Sequence, residues 1–379
     1  MTRTLALVVA MIACLSADSR GQESAGALCV KDLEVIPGFL LENDTGAKDH
    51  LAQFGQKHFD DAFAAARNAA LNAKDAAGCE TALRSYLTAW RKGHLGLQTL
   101  GVASGGPEPS REEIAARRRR NTPTLEVLSP KTILITLKNF EDYNREPLIE
   151  LLKKNHGTLA AHPDWIIDVR ANGGGSDSSY APLLAWLMAD EVATVSGELL
   201  ATPANIDGWT RYCGIASPGD TVCEKALQEG ADRMRKTATG QYVAQDDSGA
   251  LDLDRVKPLE PRRPSRVAVL IDHDCGSSCE EFALVARQSF QVKLIGRRTY
   301  GSLDYSNLRP FELPSGQRRL WYATSRSKRI PGNPVDIAGV PPDIYLPRET
   351  GAGADRDEVL RVQRWLEGGS LAVEKSARK

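Results

Sequence analysis

An excess of charge of either sign is missing from these 379 residues: 48 Lys and Arg against 49 Asp and Glu leave a formal charge of −1. So weak a field does not hold a polyanion, and nucleic acid is not an expected partner. Long apolar runs are missing as well. Nothing after the first 22 residues approaches the roughly 20 uncharged positions of a bilayer-spanning helix, so no transmembrane helix is expected. CxxC pairs, HExxH and Cys/His clusters at zinc spacing are absent, as are the GxGxxG fingerprint and the GxxxxGK phosphate loop. No metal or organic cofactor is implied. Aromatic residues make up only 6%, yet 42% of the chain is hydrophobic and 26% charged. That composition excludes disorder and fibre, and the length allows two or three domains.

Residues 1–22 differ from the rest: Arg3, an apolar stretch from Leu5 to Ala13, then small and polar residues. They read as an export signal, which makes the mature chain periplasmic or extracellular. Met11-Ile12-Ala13-Cys14 is similar to a bacterial lipoprotein processing site, which makes Cys14 a candidate lipid anchor. Six cysteines remain after the signal, an even number suited to an oxidising compartment. Cys213 and Cys223 bracket a polar loop, Cys275 and Cys279 bracket Gly-Ser-Ser, and Cys29 and Cys79 are left as a long-range pair. Fifteen connectivities stay open on spacing alone.

Residues 23–100 form an N-terminal helical region, with Phe59, Phe63, Ala66 and Ala70 at three-and-four spacing. A polar linker is expected over 101–123; its run Arg117–Arg120 reads as a solvated helix face or linker. From 124 to 350 the pattern is that of an α/β core: apolar strands at Thr132–Leu137, Trp165–Val169, Val267–Ile271 and Val292–Ile295 alternate with helical runs. An irregular polar insertion is expected over about 203–264, partly helical near Cys223–Lys236. Residues 351–379 supply a C-terminal helix and tail.

Two loops follow buried strands and precede helices. Asp272–Cys279 places Ser277 and Ser278 at a strand-to-helix turn, where helix amides can stabilise an oxyanion. The bland reading is a Ser N-cap completed by Glu280 or Glu281. Asp168–Gly175 carries three glycines that bring backbone N–H groups close to a ligand; the bland reading is a structural turn. Among the six histidines, His94 stands out, flanked by Gly93 and Gly96 after the N-terminal helices, as a base for a serine.

Together, and in this order, these pieces resemble the C-terminal processing, or tail-specific, serine peptidase family. Its strand-borne motif is similar to Asp168-Val169-Arg170-Ala171-Asn172-Gly173-Gly174-Gly175, and its nucleophile loop to Cys275–Glu280; Gly296 and Thr299-Tyr300-Gly301 match its later glycines. The resemblance covers about Ser85–Leu346. Ser302 stands where the tail-specific members carry a catalytic Lys. Lys92-Gly93-His94-Leu95 and Asp336–Asp343 instead resemble the motifs of the branch that includes the tricorn core protease and the retinoid-binding protein of the photoreceptor matrix. Only 37 residues separate His94 from Thr132, too few for the PDZ domain many members insert.

The resemblance implies a crotonase/ClpP-like ββα spiral core and a secreted peptidase acting on peptides or unfolded proteins. It implies Ser277 as nucleophile, His94 as base, Asp336 as the carboxylate orienting His94, and Gly174 and Ser278 N–H groups as the oxyanion hole. A histidine of ordinary pKa would put the acid limb of activity near pH 6–7. A Cys275–Cys279 disulfide would then straddle the nucleophile. Two rivals use the same scaffold: an inactive protein binding an apolar ligand or peptide, and an esterase or amidase with the same triad.

Overall fold

A computed structural model describes residues 24–100, 110–216, 219, 221–247, 249–256 and 264–371. The expected export signal and Cys14 lie outside the described residues. Four helices open the chain, α1 (Ala25–Asn43), α2 (Ala47–Phe54), α3 (Gln56–Leu71) and α4 (Ala76–Trp90). Ser24 and Asp75 cap α1 and α4 by accepting from Ala27 and Gly78 N–H. The three-and-four spacing of α3 buries Phe59, Ala66 and Ala70, and Phe59 stacks on Trp90 of α4 with ring centroids 4.2 Å apart. The Cys29–Cys79 disulfide staples α1 to α4.

After β1 (Gly96–Thr99), the second half of the expected linker is helical: α5 (Arg111–Asn121) starts in a Ser110–Glu113 capping box and buries no residue. The arginine run is its solvated face. Next come β2 (Thr124–Val127), β3 (Thr132–Thr136), α6 (Arg145–Lys154), α7 (His156–Ala161), β4 (Asp164–Asp168) and α8 (Ala181–Leu187). The segment expected to be irregular is more ordered than its polarity suggests. It follows β5 (Glu191–Val195) and β6 (Gly197–Leu200) as a helical hairpin, α9 (Pro203–Ala216) and α10 (Thr221–Arg235), clipped by Cys213–Cys223, then β7 (Tyr242–Ala244) and β8 (Leu251–Arg255). A small cluster of Trp209, Ala231, Met234, Leu199 and Ala201 suffices to fold it, because the polar residues coat the outside.

The chain closes with β9 (Arg266–Ile271), α11 (Ser278–Ala286), β10 (Val292–Gly296), β11 (Tyr305–Glu312), β12 (Arg318–Ser327), β13 (Ile344–Tyr345) and α12 (Ala354–Leu366). Six strands form one sheet in the order β13-β10-β9-β4-β3-β2, parallel except for β2. Both faces are covered, which explains strands apolar at nearly every position. Ile133, Ile135, Ile167, Val267 and Val269 face a core with Leu148, Leu183 and Phe282 from the helices. The alternate residues Leu134, Ile166, Ala268 and Leu270 pack on Val359, Val362 and Leu366 of α12.

A second, antiparallel sheet is built on β12, which pairs with β11 along one edge and with β1 and β6 along the other. The gap between β1 and β6 is filled by the exit of α1: Thr45 N–H donates to Ala323 O at 3.0 Å and Asp44 Oδ2 accepts from Ala323 N–H at 3.0 Å. The N-terminal helices lie on this sheet, Phe39 stacking on Phe311. Among the described residues no helix is long and apolar enough to cross a membrane.

Candidate active site

The two loops singled out by sequence leave the carboxyl ends of β4 and β9, adjacent strands at the centre of the parallel sheet. Sites in open α/β sheets collect at such ends. Asp168 and Arg170 are structural: Arg170 forks onto Asp168 and reaches Glu358 of α12 at 2.8 Å, a carboxylate shared with Arg297. Asn172 is fully buried and fixes the glycine turn, donating to Leu137 O (2.9 Å) and accepting from Gly174 N–H (2.9 Å). The two loops are laced together by Ala171 N–H on Asp272 Oδ1 (3.0 Å) and Gly276 N–H on Asn172 O (3.1 Å).

Ser277 closes the second loop at φ 56°, ψ −126°, a backbone conformation that L-residues avoid. Half of the capping box of the bland reading is present, Ser277 N–H donating to Glu280 Oε2 at the head of α11, but Glu280 N–H goes to the Ser277 carbonyl at 2.7 Å and the hydroxyl caps nothing. An ordinary N-cap, however, is extended at negative φ. Glu280, fully buried, is the hub that holds this turn. Its Oε2 accepts from the N–H of Ser277 (3.1 Å) and Ser302 (2.8 Å), and its Oε1 from Thr299 Oγ1 (2.5 Å) and Gly301 N–H (2.7 Å). The Ser277 loop is therefore anchored to the loop after β10. Cys275 and Cys279 are joined across the serine, Cα atoms 5.4 Å apart.

Gly174, at φ 99°, lies directly against the serine: a Cβ there would stand 2.7 Å from Ser277 Cβ and 3.0 Å from Ser278 N. Its expected role as an oxyanion donor meets an obstacle, because its N–H is already given to Asn172. The Ser278 N–H, at the first position of α11, belongs to the first helical turn, whose amides lack intrahelical acceptors, and has no hydrogen-bond partner among the described residues.

His94 comes from the loop after α4, in the left-handed region at φ 43°. Its Nδ1 donates to the Tyr305 carbonyl oxygen at 2.6 Å, which places the proton on Nδ1 and leaves the lone pair on Nε2. Burial, reinforced by the Arg91 charge, pushes its pKa down to about 4, against the ordinary value assumed from sequence. The orienting partner of His94 is thus a backbone carbonyl. Asp336, expected in that role, makes no hydrogen bond to His94; its Oδ1 accepts from Leu303 (2.5 Å) and Asp304 (2.6 Å) N–H, shaping the turn that leads into Tyr305. Its pKa rises to about 6, mainly through burial and further through the neighbouring Asp304 carboxylate.

No hydrogen bond joins His94 to Ser277. Their loops meet through Ser302 and Tyr300: added Cβ atoms on Gly93 and Gly276 would lie 2.5 Å from Ser302 Cβ and 3.3 Å from Ser302 Oγ respectively, and both glycines also approach Tyr300. The structure thus gathers Ser277, Ser278, Gly174 and the His94 loop at one place. Sequence reasoning missed Tyr305, whose contribution is a main-chain oxygen without side-chain signature, and Arg91, one of many arginines.

A strained serine at a strand–turn–helix junction, a glycine turn against it and an imidazole on a neighbouring loop thus meet at the carboxyl end of the parallel sheet. The sequence matches the model of peptidase family S41 over residues 131–346, and the chain belongs to that family. His94 lies upstream of the matched segment. Among solved structures, the chain is similar to a candidate peptidase from Parabacteroides merdae, with 15% identity, 93% of this chain and 100% of that one covered, and a TM-score of 0.53. It is also similar to mature CPAF, with 12% identity, coverage of 92% and 99%, and a TM-score of 0.59. At such identities the likeness is one of fold. No curated protein matches the chain.

Proposed function

We propose that this family member is an exported serine peptidase hydrolysing peptide bonds in peptides or unfolded proteins. The observation that carries the reading is the backbone of Ser277, held at φ 56° against its own preference by the Glu280 hub. Ser277 Oγ attacks the scissile carbonyl carbon while His94 Nε2 takes its proton. The imidazolium returns that proton to the leaving amine as the C–N bond breaks, and water then repeats the sequence on the acyl-enzyme. The Ser278 N–H receives the oxyanion, and Gly174 leaves the space in front of it clear. The Tyr305 carbonyl sets the tautomer, and Asp336 acts through the turn that presents it. The two strand–helix–strand units, β3 to β4 and β9 to β10, support reading the core as a crotonase/ClpP-like ββα spiral. Three disulfides support an oxidising compartment.

A fluorophosphonate probe with peptide mapping tests the assignment. Label on Ser277, reduced at least about 100-fold in His94→Ala, is expected. Label confined to another serine, or none on wild type, overturns it and favours the binding-protein reading.

A further inference from the structure

The base is delivered by the N-terminal region, and one buried ion pair governs how. Arg91 ends α4 and Asp44 ends α1. Their side chains are 2% and 1% exposed and fork onto each other at 2.6 and 2.8 Å. The remaining guanidinium donors go to the two carbonyls around the base: Nη2 to His94 O at 3.0 Å and Nε to Gly93 O at 3.3 Å. Both of these residues have positive φ, 71° for Gly93 and 43° for His94, conformations that a loop holds only when its surroundings fix it. The guanidinium also stacks over the Tyr305 ring at 5.1 Å, and the carbonyl of Tyr305 holds His94 Nδ1. Gly46 makes room for the clamp, since a Cβ there would lie 2.3 Å from Arg91 Nη1.

We propose that Arg91, locked by Asp44, is the positioning residue for the base: it grips the backbone on both sides of the imidazole and the ring of its acceptor residue, so the fold of the N-terminal helices sets the aim of His94. This rests on His94 acting as the base. The groups facing Arg91 and His94 are Asp44 and Asp49 from the N-terminal segment, His50 of α2, and Tyr305 and Asp336 from the later loops. Arg91 is the cation among them that disfavours imidazolium. Its removal leaves Asp44 uncompensated and moves the protonation of His94 to higher pH.

The test compares wild type, Arg91→Met, Arg91→Lys, Gly46→Ala and His94→Ala as full-length folded proteins, with circular dichroism as the check of fold. A displacement of about 1 Å costs on the order of 100-fold in rate. Arg91→Met is therefore expected to lose about 100-fold in kcat with KM changed less than about threefold, and its acid limb should move up in pH. Added guanidinium ion should restore part of the rate in Arg91→Met but not in His94→Ala. Gly46→Ala, which alters no charge, should lower kcat without moving the limb. A folded Arg91→Met with kcat within threefold of wild type and an unmoved limb overturns the proposal. If His94→Ala itself keeps wild-type activity, the assignment of the base fails instead, and the two failures are distinguishable.

Discussion

Replacing Glu280 by Gln changes one oxygen to an amide nitrogen, and the geometry fixes what that costs. Four donors converge on the carboxylate, two on each oxygen. If the new NH₂ group faces Ser277 and Ser302, both backbone amides lose their acceptor. If it faces the other pair, the Thr299 hydroxyl can rotate, but Gly301 N–H is left opposed to another donor. Either way at least one buried amide is orphaned and the remaining bonds lose their ionic character. Hydrogen bonds to charged groups contribute about 1.5–3 kcal/mol each, so a loss of about 3–5 kcal/mol is expected. That is a large part of the roughly 5–15 kcal/mol that keeps a domain folded. Urea unfolding followed by tryptophan fluorescence should show a lower midpoint, and probe labelling of Ser277 should slow more than the folded fraction falls, because the serine turn is the part released. A Glu280→Gln protein within about 1 kcal/mol of wild type and labelled at the wild-type rate would refute the role of this hub.

Other consequences follow from single contacts. Ser277→Gly should be more stable than Ser277→Ala by about 1 kcal/mol, since glycine accepts positive φ, although both are inactive; equal melting temperatures would show that the turn is unstrained. Gly174→Ala should lower kcat by roughly 100-fold, the cost of one oxyanion donor, by crowding Ser277 and Ser278 N–H; steady-state kinetics checks it, and an unchanged kcat contradicts it. Asp336 has its pKa raised to about 6 in the folded chain. Its ionisation therefore costs stability, which is fully present below pH about 4 and lost as pH rises through about 6. Asp336→Asn should accordingly gain up to about 3 kcal/mol over wild type at pH 8 and nothing at pH 4, as read by urea melts at both pH values.

The α/β class was legible because strand runs are properties of short segments, and the same holds for the cysteine pairs 213/223 and 275/279; the pairing of Cys29 with Cys79, 50 positions apart, carries no local signal, so spacing alone left the connectivity open. The glycine loop and the serine loop were legible for the same reason, each being one strand end with its turn. The hairpin of α9 and α10 was obscured because the helices themselves contribute only Trp209, Ala231 and Met234, with Ile206 and Leu227 half-buried, among many polar residues, and the rest of the cluster comes from β6 and its neighbours. The run Arg117–Arg120 left helix face and linker both open because α5 has no buried face, and only its capping box marks it as helix. The surroundings of His94 lay beyond sequence reasoning: its orienting group is a carbonyl 211 positions away, and main-chain oxygens carry no residue identity. Asp336 is a carboxylate at the right place in a motif, but two backbone amides of the neighbouring loop claim its Oδ1.

The most direct test of the central claim is the pH dependence of casein hydrolysis by wild type, Ser277→Ala and His94→Ala, on protein shown to remain folded across the range. Burial holds the imidazole neutral down to about pH 4. Activity should therefore be absent in both variants, and in wild type it should persist from neutral pH to about 5, falling with an acid limb near 4. Hydrolysis surviving in either variant, or a wild-type limb at pH 6–7, would contradict the account of Ser277 and a half-buried, carbonyl-oriented His94.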